Sequence, residues 1–159
     1  MAYNLILLDI DGVLVVTPGW KKPEINSDGF LEFNKKAVIN LVKIISETSA
    51  DIILTTSHRN SYPLSEWKSI MDTRGIPTNN IMTIDNYITH PNHKSRVDEI
   101  RQWINDFGTE KNYVIIDDDT SLDSLPSNLK KRWVKTSPMI GLDDNATTRA
   151  LDILNGTAA

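Results

Sequence analysis

The sequence predicts an α/β protein: a mostly parallel, five-stranded sheet covered on both faces by helices, in three layers. Three observations lead there. Short, continuously apolar segments recur at 4–9, 51–56 and 112–117, and unbroken apolar runs mark strands buried on both faces. Stretches with helical periodicity alternate with them, the pattern of βα units around a parallel sheet. Those three apolar runs end in polar residues, where such sheets carry their sites.

The elements follow in order. "NLILLD" (4–9) is the first strand. Residues 16–33, with two prolines and two glycines, read as a loop or small flap, the flap as a whole running from about 13 to 33. Asn34 caps a helix over 35–48, whose Val38, Leu41, Val42 and Ile45 share one face. "DIILTT" (51–56) is the second strand, followed by a short helix from Ser65 to Arg74, with Gly75 after it and Pro77 beyond. "NIMTI" (80–84) is the third strand. Ser95, with Asp98 three residues on, resembles a capping box. The helix behind it buries Val97, Ile100, Ile104 and Phe107 and ends at Gly108. "NYVIID" (112–117) and "RWVKTS" (132–137) are the fourth and fifth strands. A last helix over 144–155 aligns Ala146, Ala150, Leu151 and Leu154, with Gly156 beyond.

At 159 residues the chain fits one domain, 1–159, with a single core. No apolar run approaches the ~20 residues that span a bilayer, and "MAYNLILLD" lacks the basic start of a secretory leader. There is no cysteine, which excludes disulfides and thiolate metal sites and fits a cytoplasmic protein. A net charge of −4 argues against broad, sequence-independent binding to duplex nucleic acid, while leaving room for a local phosphate site.

The chemistry gathers at the strand ends. Asp9 and Asp11 follow the first strand. Thr55, Thr56 and Ser57 end the second, with His58 and Arg59 next. Asp117, Asp118 and Asp119 end the fourth. In a parallel sheet these sets meet at one edge. Crowded carboxylates raise one another's pKa unless a cation neutralises them, and hard oxygen ligands without cysteine or a histidine cluster suit Mg²⁺. Each set alone also fits a turn, a cap or a solvated loop; their order and shared position argue for a site. A calcium loop of the EF-hand type fails, because its spacing needs Asp or Asn at position 13, where Val13 stands. A receiver domain is rejected because it carries its acidic pair on the first strand and its phosphorylated Asp later, the reverse of this order.

These residues resemble the haloacid dehalogenase (HAD) superfamily. "DIDGVL" is similar to its first motif, "IILTT" to its second and "VIIDDD" to its fourth, and a basic residue near the Ser95 helix would be the third. Order and intervals match over most of the chain. "TTSHR", "SRVDEIRQWI", "YVIIDDD" and "GLDDNATTRALDIL" together look like the HAD domain of bacterial and phage multi-enzyme RNA repair proteins. There the second motif is usually followed by Trp-Arg; here His58 stands in the Trp position and Arg59 is kept.

The resemblance implies a Rossmann-like core and a phosphohydrolase. Asp9 would be the nucleophile, giving an aspartyl-phosphate, and Asp11 the general acid and then base. One residue of spacing on an extended chain puts both side chains on the same side. Gly12 lets the backbone turn away from the substrate, and the main-chain carbonyl of Asp11 would join the metal ligands. Thr56 would hydrogen-bond a phosphoryl oxygen, with Thr55 and Ser57 as alternatives one register away. Arg96 or Lys94 would supply the cation that compensates Asp9 and the transferring group; Arg96 has the register of the RNA-repair type, Lys94 the more usual residue type. Asp117 and Asp118 would complete the Mg²⁺ site with Asp9 and Asp11, while Asp119 faces solvent or caps the next turn. Arg59 would contact the substrate phosphate or its neighbour.

Neither the gap from Asp11 to Asn34 nor that from Thr56 to Lys94 leaves room for an inserted cap domain. An uncapped site favours a large phosphorylated substrate such as an RNA or DNA end. Trp20, Lys21 and Lys22 of the flap offer an aromatic and two cations to a base and its phosphate, or form an ordinary exposed loop. A phosphatase of small metabolites or phosphoproteins is the alternative, and a non-catalytic binding domain a further one, disfavoured by the presence of both Asp9 and Asp11.

Overall fold

The computed structural model describes residues 3–17, 22–88 and 95–157. Among these, five strands form one parallel sheet: β1 (Asn4–Leu8), β2 (Asp51–Leu54), β3 (Ile81–Thr83), β4 (Asn112–Asp117) and β5 (Trp133–Lys135), in the order β3-β2-β1-β4-β5. The chain runs outward from β1 to β3 on one side and returns through β4 to β5 on the other. The strand order therefore reverses between β1 and β4, and a crevice opens there at the carboxyl ends.

The unbroken apolar strands are explained by the layers. Ile6 and Leu8 of β1 face one core, with α1 (Lys35–Thr48), α2 (Leu64–Thr73) and α5 (Asp144–Asn155) packed on it through Leu41, Trp67 and Ala150. Leu5 and Leu7 face the other, which holds Ile100 and Trp103 of α3 (Arg96–Trp103) and Leu122 and Leu125 of the segment before the short helix α4 (Ser127–Lys130). Successive residues of an extended strand point to opposite faces, so both sets must be apolar.

The predicted caps are in place. Asn34 accepts a hydrogen bond from the Ala37 N–H (3.0 Å) and Ser95 one from that of Asp98 (3.4 Å). The expected helices over 35–48 and 144–155 match α1 and α5. Strand ends differ more. β2 stops at Leu54 because Thr56 caps a single helical turn, Ser57–Ser61, accepting from the His58 N–H. β5 is three residues long; just beyond it the Thr136 N–H still bonds to the Asp117 carbonyl of β4 (3.2 Å), and its hydroxyl donates to the Gly12 carbonyl (2.7 Å). The expectation that Phe107 is buried is not met: it is 39% exposed. After α3 the helix widens into a π turn, Ile104–Gly108, which rotates Phe107 outward, while Trp103 fills the interior.

The segment between β1 and α1 is a loop, and most of its described part is anchored. Val13, Leu14 and Val15 are buried in the first core with Phe30 and Phe33. Phe30 meets Phe33, Tyr62 and Trp67 edge to face, and Arg74 at the end of α2 holds Asp28 (2.6 Å) and the Leu31 carbonyl (3.0 Å). Trp20, Lys21 and Lys94 lie outside the described residues; Lys22 is exposed. No helix among the described residues is long and apolar enough to cross a membrane.

Candidate active site

β1 delivers Asp9 to the crevice, where the Asp9 N–H still bonds to the Ile116 carbonyl of β4 (3.1 Å). That bond ties the first acid to the strand that ends in Asp117. Asp9, Asp117 and Asp118 each offer a carboxylate oxygen within 4.8 Å of the others'. Asp9 is 5% exposed and Asp117 fully buried. Burial, reinforced by the charge of Asp117, raises the Asp9 pKa well above the usual carboxylate range, against the pull of Arg96. Asp118 is raised as well, chiefly by burial.

Arg96 opens α3 directly behind the Ser95 cap and reaches into this cluster. Its Nη1 donates to Asp117 Oδ2 (2.5 Å) and stands 3.5 Å from Asp9 Oδ1. The other oxygen of Asp117 accepts the Asp119 N–H (3.0 Å), so Asp117 is held on both sides. Asp119 turns away and caps Thr120–Ser124 by accepting from the Ser121 N–H (2.8 Å). With all three ionised, the carboxylates beside this one guanidinium leave two negative charges, the charge that a divalent cation matches. Hard oxygen donors packed this closely fit such an ion.

Gly12 makes the turn that follows Asp11. Its φ is +78°, a region glycine adopts without strain, and a Cβ here would overlap the Asp118 carboxylate. Glycine therefore lets the backbone of the first motif and the side chain of the fourth share one space. Asp11 stands on the lip of the crevice, its side chain 52% exposed and outside the carboxylate cluster. His58 Nε2 meets its Oδ2 at 2.8 Å.

Thr55 and Thr56 are fully buried at the end of β2. Thr56 Oγ1 accepts from the His58 N–H (3.2 Å), which leaves its hydroxyl hydrogen to donate. Thr55 Oγ1 is buried without a hydrogen-bond partner among the described residues. Ser57 is exposed.

Arg59, expected at the substrate phosphate, is placed elsewhere. It is 7% exposed and its donors go to Asp85 (3.0 Å), to Glu99, and to the Thr55 and Thr56 carbonyls (3.1 and 3.2 Å). It fastens the second-motif turn to α3 from below, because a guanidinium in this interior must be surrounded by acceptors. The sequence shows one trace of this: Glu99 is a charged residue between the apolar Val97 and Ile100 of α3. The His58–Asp11 contact, 47 positions apart, leaves no trace in the spacing.

The structure thus brings together Asp9, Asp117, Asp118, Arg96 and Gly12, with Asp11 and His58 on the lip, and it separates Arg59 from them. Over residues 5–147 the sequence matches the family model described as the HAD domain in Swiss Army Knife RNA repair proteins. None of the curated proteins compared with the chain matches it.

Proposed function

The chain belongs to the family of HAD domains in Swiss Army Knife RNA repair proteins, and on that premise we propose that it is a Mg²⁺-dependent phosphohydrolase acting through an aspartyl-phosphate on the phosphate of an RNA or DNA end. One observation carries the chemistry: Asp9 stands beside the Arg96 guanidinium that bonds to Asp117, with carboxylate oxygens of Asp9, Asp117 and Asp118 within 4.8 Å of one another, and with Asp11 two residues on and open to the outside.

In the first step an Asp9 carboxylate oxygen bonds to phosphorus as the bond to the ester oxygen breaks. Asp11 gives its proton to the departing oxygen. In the second, Asp11 takes a proton from water, whose oxygen attacks the same phosphorus; phosphate leaves and the Asp9 carboxylate is restored. Arg96 holds Asp9 and Asp117 in place and offsets charge that builds on the transferring group. The Thr56 hydroxyl donates to a phosphoryl oxygen. Asp9, Asp117 and Asp118, with the main-chain carbonyl of Asp11, would hold Mg²⁺, which when bound neutralises phosphoryl and carboxylate charge together.

The family description supports a nucleic-acid end as substrate. So does the lip: Asp11 is half exposed, and the described part of the adjoining loop packs into the core through Phe30 and Phe33. A broad substrate can reach such a site.

The test is phosphate release from RNA and DNA carrying 3′- or 5′-phosphates, and from an aryl phosphate, with and without Mg²⁺. The proposal expects release that needs Mg²⁺, favours a polynucleotide end and vanishes in Asp9→Asn. Release that persists in a chelator or in Asp9→Asn overturns it.

A further inference from the structure

We infer that His58 is a positioning residue for proton transfer: its Nε2 holds one oxygen of Asp11 so that the other is presented to the departing group. The inference rests on the phosphohydrolase reading and adds to it a residue that neither the motif pattern nor the family match assigns.

Three observations support it. The Nε2–Oδ2 distance of 2.8 Å is a full hydrogen bond. The imidazole is itself fixed. Its backbone N–H bonds to Thr56 Oγ1 (3.2 Å), and its ring meets the buried Phe30 edge to face, with centroids 5.3 Å apart and planes at 87°. Phe30 rests in turn on Tyr62 and Trp67. Finally, Asp11 needs such a partner. Its carboxylate stands on an exposed lip, and among the described residues His58 is the side chain that engages it. A proton donor free to rotate there would spend much of its time pointing away from the ester oxygen.

The contact also suits a group that alternates between acid and base. A neutral imidazole can donate Nε2–H to Asp11 Oδ2 when Asp11 is a carboxylate, and equally when it is a carboxylic acid with its proton on the presented Oδ1. The ring can therefore hold Asp11 in both forms without changing its own charge. The amide of Gln can donate to Oδ2 in the same way, whereas Phe keeps an aromatic ring against Phe30 and has no donor.

The experiment compares the wild type, His58→Phe, His58→Gln, Asp11→Asn and the double variant Asp11→Asn/His58→Phe, all saturated with Mg²⁺. Each is assayed on an activated aryl phosphate and on an alkyl phosphate. Protonation of the leaving oxygen matters far more for the alkyl ester. His58→Phe is expected to lower kcat/KM on the alkyl ester by roughly tenfold or more, a part of the ~10²–10⁴ that a general acid supplies, and much less on the aryl ester. His58→Gln is expected to recover most of that loss. The double variant is expected to be no worse than Asp11→Asn alone. Equal losses on both esters, no recovery with Gln, or losses that simply add in the double variant overturn the inference. Failure of the underlying reading has a different signature: a wild type without Mg²⁺-dependent release, or activity that survives Asp9→Asn.

Discussion

Arg96 Nη1 lies 2.5 Å from Asp117 Oδ2, joining the first residue of α3 to the last residue of β4. Asp117 is fully buried and the Arg96 side chain is 12% exposed, and the same nitrogen stands 3.5 Å from Asp9. Removing one partner of a buried pair leaves the other charge uncompensated, at a cost of about 3–5 kcal/mol. Arg96→Ala is therefore expected to lose stability of that order in denaturant titrations and to lose phosphatase activity with it. Arg96→Lys keeps the charge without the planar fork and is expected to be intermediate in both.

Asp9 has a pH signature of its own. Its folded pKa is raised, by burial first and by Asp117 next, above the unfolded value of about 3.9. As pH rises, the unfolded chain releases this proton before the native protein does, so the native state binds more protons. In a chelator, the stability contributed by protonated Asp9 is complete below about pH 4 and is lost as pH climbs toward the raised value. Asp9→Asn is expected to melt above the wild type at about pH 8 in a chelator, by roughly 2–4 °C per kcal/mol relieved. The gap should close below about pH 3, where wild-type Asp9 is protonated in both states. Saturating Mg²⁺ should raise the wild-type melting temperature more than that of Asp9→Asn.

Gly12 offers a test of the shared space between the first and fourth motifs. A methyl group here meets the Asp118 carboxylate and the φ of +78° is strained for alanine. Gly12→Ala is expected to cost about 1–3 kcal/mol of stability. It should also raise the Mg²⁺ concentration needed for half-maximal activity, measured by titrating the metal at fixed substrate.

Arg59 is expected to behave as a structural residue. Its guanidinium is spent on Asp85, Glu99 and two carbonyls of the second-motif turn. Arg59→Ala should destabilise the protein by about 3–5 kcal/mol. At temperatures where the variant remains folded, its KM for phosphate esters should stay close to that of the wild type.

The contrast between Arg59 and Arg96 shows what the sequence can carry. The strands, α1 and α5 were legible because a buried parallel strand is apolar throughout and a helix repeats its apolar face. The carboxylate cluster was legible because parallel strands bring their ends to one edge, so Asp9, Asp117 and Asp118 had to meet there. Which way a cation points is another matter. Arg59 and Arg96 are both basic residues beside motif segments, yet one turns beneath the sheet edge toward Glu99 and the other into the crevice. That choice is set by acceptors far apart in the chain. Phe107 failed for a related reason: its inward position assumed an α-helical repeat, and the π turn changes the angle. The His58–Asp11 bond is a meeting of two loops that periodicity does not describe.

The most direct test of the central claim is to trap the covalent intermediate. The protein is mixed with a ³²P-labelled phosphate ester and Mg²⁺, quenched in acid and digested, and the label is located. The account predicts an acid-stable, base-labile phosphoryl group on the peptide that contains Asp9, absent from Asp9→Asn and accumulating when Asp11→Asn slows its hydrolysis. Turnover of the same substrate with no label on that peptide, or with the label on another residue, would contradict it.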